Sequence, residues 1–136
     1  MNMKKELSTW NGYTVHGDAM ELDTIVESTG FIKLDKDDII GVLSADGENW
    51  IATGNDFSMD SALSIAINNL PFSIDKVNNL LIDFRYGNIP PKMANISMIT
   101  ATMSDANPDI EVGWSISSDE SLENTFKVII VASADI

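Results

Sequence analysis

Two spacings of apolar residues alternate along the chain, and together they predict its elements. From 18 to 28, Ala19, Leu22, Ile25 and Val26 recur at helical intervals ahead of Gly30, which predicts a short helix with a glycine stop. Ile39, Ile40, Val42 and Leu43 predict a second short helix that starts behind Asp35, Asp37 and Asp38 and ends before Gly47. Residues 49–54 read as a strand, after which Asp56 or Ser58 caps a helix running to Leu70. On that helix Met59, Ala62, Leu63, Ala66, Ile67 and Leu70 fall on one stripe, and Pro71 stops it.

The second half is richer in strands. Residues 79–86 place Leu80, Ile82, Phe84 and Tyr86 on one face and Leu81, Asp83 and Arg85 on the other. Pro90 and Pro91 suit the first turn of a helix, which Met93, Ile96, Ile99 and Met103 continue to about residue 104. Ile110, Val112, Trp114 and Ile116 alternate along a strand, and the unbroken apolar run 126–132 predicts a central strand covered on both faces. The weak pattern before Gly17 allows only a short strand at Tyr13, Thr14 and Val15. Residues 1–29 therefore read as an N-terminal extension with a short helix, and 30–136 as one compact domain.

Composition narrows the class of function. At 136 residues, 44% apolar and 21% charged, the chain has the size and composition of one folded domain. Twenty-one acidic against eight basic residues give a net charge of −13, which repels nucleic acid and anionic membrane surfaces. With no cysteine, disulfides, thiolate metal sites and cysteine nucleophiles are excluded. Lys4 and Lys5 are followed by no apolar stretch of signal-peptide type, and no run approaches the ~20 residues that span a bilayer, so a cytoplasmic location is expected.

Three segments carry a family resemblance. The run Gly30-Phe31-Ile32-Lys33-Leu34-Asp35-Lys36-Asp37-Asp38-Ile39 resembles the G-L-I-N-V-D-F-A-D-V segment of the bacterial tubulin relative FtsZ, without a gap. Ala66-Ile67-Asn68-Asn69-Leu70 is similar to that family's A-I-S-S-P, and 126–132 to its closing R-V-T-V-I-A strand. From about Asp18 to Ile136, the chain resembles the C-terminal domain of the FtsZ/tubulin family. The resemblance implies an α+β fold: a two-layer sandwich with a four-stranded mixed sheet, a final hairpin, and the helices at 58–70 and 91–104 on one face. Leu63, Ala66, Ile67, Ile96 and Met103 would be buried there.

The family's phosphate loop, G-G-G-T-G-T-G, is absent from this sequence, so no GTP binding and no cofactor are expected. Asp35 and Asp38 match the two aspartates that the family inserts into the nucleotide pocket of the next subunit. The resemblance thus implies a candidate interaction loop of Lys33, Asp35, Asp37 and Asp38, acting in trans on a tubulin-like partner. This sequence departs from the family at Lys33, where asparagine is usual, and at Lys36, where phenylalanine is usual. The bare chemistry of three aspartates at a helix start is also met by capping and by complementing the helix dipole.

Other chemistry fails on spacing. Asp35-x-Asp37 opens like a calcium loop, but the next required oxygen ligand and glycine fall on Ile39 and Ile40. His16 is the sole histidine, which removes multi-histidine metal sites and leaves a catalytic triad without a regular scaffold. The expected function is a non-catalytic interaction module that regulates assembly of a tubulin-like GTPase. The alternatives are a small-molecule-binding or enzymatic domain on the same fold, or a homo-oligomeric structural protein.

Overall fold

The computed structural model describes residues 7–134 apart from 28, 33, 46, 93, 95, 98, 100, 102–104 and 106–108, with the backbone alone at 29–32. The elements in chain order are β1 (Leu7–Trp10), β2 (Tyr13–His16), α1 (Met20–Glu27), β3 (Thr29–Ile32), α2 (Lys36–Leu43), β4 (Glu48–Asp56), α3 (Met59–Asn68), β5 (Val77–Tyr86), β6 (Glu111–Ser118) and β7 (Phe126–Ala134). Between β5 and β6, Ala94, Ile96, Ser97, Ile99, Ala101 and Asp105 are helical.

The predicted central strand is central. β7 lies antiparallel between β4 and β5, and its Val128, Ile129, Ile130 and Val131 are all fully buried, as a run without polar alternation requires. The four expected strands are all present, but among the described residues the sheet has seven, in the order β1-β2-β4-β7-β5-β6-β3. The expected final hairpin is absent, because β6 pairs in parallel with β5 while β7 inserts two places away. At the other side a tight turn at Asn11 and Gly12, both with positive φ, closes the β1–β2 hairpin.

The two-layer expectation is also corrected. α3 and the helical residues around Ile96 cover one face with Ala52, Leu80, Ile82, Phe84, Ile116, Val128 and Ile130, as predicted. The opposite face carries α1 and α2, whose Leu22, Ile25, Ile39 and Val42 pack on Ile51, Leu81, Ile129 and Val131. Helices therefore sandwich the sheet on both sides. The physical reason is that a continuous apolar strand such as β7 needs cover on each face. Trp10 and Val15 of the N-terminal hairpin join this second core, so residues 7–27 share one sheet and one core with the rest.

The core residues fall close to expectation. Leu63, Ala66 and Ile96 are buried, Ile67 is partly buried against the same cluster, and Met103 lies outside the described residues. α3 sits hard on β4: a Cβ on Gly54 would stand 2.0 Å from the carbonyl oxygen of Ala62. Ser58 caps α3 by accepting from the Ser61 amide at 3.1 Å.

Candidate functional site

The acidic loop is built by a reciprocal cap. Asp35 is the N-cap of α2, its Oδ1 accepting from the Asp38 amide at 2.9 Å. The Asp38 carboxylate accepts from the Asp35 amide at 2.9 Å in return, completing a capping box. Hydrogen bonding from the Asp38 amide, with smaller help from neighbouring amides, holds the Asp35 carboxyl below the usual aspartate range. Asp35, Asp37 and Asp38 are all exposed at one end of the sheet, and Lys33 lies outside the described residues.

Beside the cap an open groove of about 350 Å³ runs between α2 and the first residues of β5 and β6. Leu34, Leu80, Leu81 and Val112 line its apolar parts, while Asp37, Asp38, Asn79 and Glu111 supply polar groups. Among the described residues no three histidine or carboxylate side chains stand together as a metal site. The loop presents charge and hydrogen-bond acceptors on the surface. His16 lies elsewhere, stacked on Trp50 at 4.0 Å between ring centres and paired with Glu48 at 3.2 Å.

The sequence reading missed a buried polar seam across β5 and β6. Asp83, wholly buried, accepts from the Ser115 hydroxyl at 2.7 Å, the Ser117 hydroxyl at 2.8 Å and the Arg85 guanidinium at 2.6 Å. Arg85 Nε then stands 4.0 Å from Asp119. The Asp119 carboxyl is held below its ordinary range chiefly by the Ser121 hydroxyl, with Arg85 and Lys127 contributing. Parallel register pairs Asp83 with Ser115 and Arg85 with Ser117, which places all four on the α1/α2 side. The signal was present as opposite charges two apart within an apolar strand, Asp83 and Arg85, in phase with two serines. A buried pair in which Arg85 and two serines converge on one carboxylate reads as architecture, since its charges face each other.

The sequence matches no protein-family model and no curated protein. Solved structures do match. The empty FtsZ dimer of M. jannaschii aligns with a TM-score of 0.69 at 27% identity, over 83% of this chain and 34% of its own. CetZ from Methanosaeta thermophila aligns at 0.65 and 14% identity, over 86% of this chain and 35% of its own. TubZ of Bacillus thuringiensis serovar israelensis, in GDP-form protofilaments, aligns at 0.62 and 13% identity, over 85% and 33%. The chain thus spans about a third of the length of these relatives. No helix among the described residues is long and apolar enough to cross a membrane. The molecule is a domain with the mixed α+β fold of the FtsZ and tubulin-like proteins, resembling their C-terminal domain alone.

Proposed function

We propose that this domain is a non-catalytic interaction module that docks through the start of α2 onto a tubulin-like GTPase and regulates its assembly. One observation carries the reading. The capping box orients Asp35 and Asp38 at an exposed corner beside an open groove, in a fold shared with proteins described as an FtsZ dimer and as TubZ protofilaments. A partner contributing basic groups there would gain both charge attraction and the apolar floor of the groove. On this reading, a domain that docks by the α2 corner and offers no matching surface to the next subunit ends a filament rather than extending it. This sequence carries no phosphate loop, and the reading assigns the domain no GTP chemistry of its own.

The test is sedimentation of a cognate FtsZ-type polymer with wild-type domain or with Asp35→Asn/Asp38→Asn. Asparagine caps about as well as aspartate, so the variant stays folded with only a small change in melting temperature. The reading expects wild type to change the pelleted fraction and the variant to lose most of that effect, together with its salt dependence. Equal action of both proteins, or of neither, leaves capping as the loop's whole role.

A further inference from the structure

The other end of the sheet carries a second surface, and its case stands independently of the first. Register aligns Asp56, Phe126, Tyr86 and Ser118 at the ends of β4, β7, β5 and β6, the pole away from α2's start. There the β4–α3 turn presents Phe57 with 76% of its surface exposed, and the turn after β5 presents Ile89 with 52% exposed. Both open onto one cavity of about 360 Å³, walled by Met59, Pro90, Pro91, Ile96 and Phe126. An exposed phenylalanine and isoleucine sharing one opening over an apolar wall form the kind of patch that marks an interaction site.

The turns that hold it are fixed. Asp56 Oδ1 accepts from the Phe57 amide at 2.6 Å, and Ser58 caps the helix that follows. The Asn88 amide donates to the Glu123 carbonyl at 2.6 Å, and a Cβ on Gly87 would lie 2.2 Å from that carbonyl oxygen. Phe57 and Ile89 are therefore displayed by backbone that is already ordered, so little ordering remains for binding to impose.

The rim selects the occupant. Asp60 and Lys92 line the opening itself, while the turns that frame it add Asp56, next to Phe57, and exposed Glu123, whose backbone carbonyl accepts from Asn88, so the surroundings carry three acids and one base. A second copy, itself at −13, would bring the same acids against these. A basic segment would gain from them. We propose that this opening is a docking site for an exposed segment of a partner protein, an apolar anchor side chain flanked by lysine or arginine. With the α2 corner at the opposite pole, the domain then has two separate faces for partners.

The probe is a fluorescein-labelled peptide of alternating leucine and lysine, with a serine–lysine peptide as control, read by anisotropy on the full chain. Phe57→Ser and Ile89→Ser should each weaken binding about tenfold or more, since each deletes a large apolar contact. Asp60→Asn should weaken it about two- to fivefold and flatten its salt dependence. The serine–lysine peptide should bind at least about tenfold more weakly. Melting curves confirm that the variants fold, which exposed positions permit. Unchanged affinity in folded Phe57→Ser, or an equal loss from Asp35→Asn/Asp38→Asn, overturns the proposal. A wild-type dimer that Phe57→Ser converts to monomer in sedimentation velocity also overturns it, assigning the patch to a second copy.

Discussion

Phe84 and Asp83 are neighbours in β5, wholly buried on opposite faces of one sheet, and they are held by different physics. The Phe84 face is closed by α3 and Ile96 over an apolar cluster, where contacts are many and individually weak. The Asp83 face is apolar beneath α2 and the N-terminal hairpin, but along β5 and β6 it turns polar, with Ser115, Ser117 and Arg85 converging on one carboxylate. Losing part of an apolar cluster costs area and leaves a cavity. Losing Asp83 or Arg85 from the polar seam strands the other's charge. One face degrades by increments, and the other depends on completeness.

The largest effects should come from that pair. Asp83→Ala leaves buried Arg85 with only the Asp119 carboxylate, 4.0 Å away, and should cost about 3–5 kcal/mol in urea denaturation. Phe84→Ala should cost a similar 3–5 kcal/mol through the cavity it opens. The two differ in rescue. Asp83→Leu combined with Arg85→Met should recover most of the loss, because an apolar pair of similar volume removes both desolvation costs. A double variant as unstable as Asp83→Ala would show that the seam contributes more than mutual neutralisation.

Next in size, Ser58→Ala removes the side-chain acceptor of the Ser61 amide and should lower stability by about 1 kcal/mol, without touching either core. Its loss should add to that of Asp83→Ala, since the sites share no partner. The smallest effect is on pH dependence. Asp35 and Asp119 have carboxyls depressed in the folded state, so their contribution is present above the unfolded aspartate value of about 3.9 and fades as pH falls through the depressed values. Replacing both with asparagine should flatten that part of a melting-temperature profile measured on the acid side. An unchanged profile would place the acid sensitivity in other carboxylates.

Local rules in the sequence reached a long way into this molecule. Helical spacing located α1, α2 and α3 to within a few residues, the α3 cap was narrowed to Asp56 or Ser58 and the α2 cap to the aspartates at 35, 37 and 38, and the unbroken 126–132 run marked β7 as the strand with two covered faces. Those signals are short-ranged, so periodicity and capping carry them. The same run in β7 already demanded helices on both sides, yet which helix covers which face depends on crossovers that no local pattern encodes. Strand order is likewise non-local: β7 enters between β4 and β5, and β3 and the N-terminal hairpin lengthen the sheet at its two edges. The candidate loop was legible because capping needs only neighbours within one turn. The seam around Asp83 and the opening at Phe57 and Ile89 were not, because each joins residues from separate strands or turns, brought together only when β5 pairs with β6 or when the β4 and β5 ends align on β7.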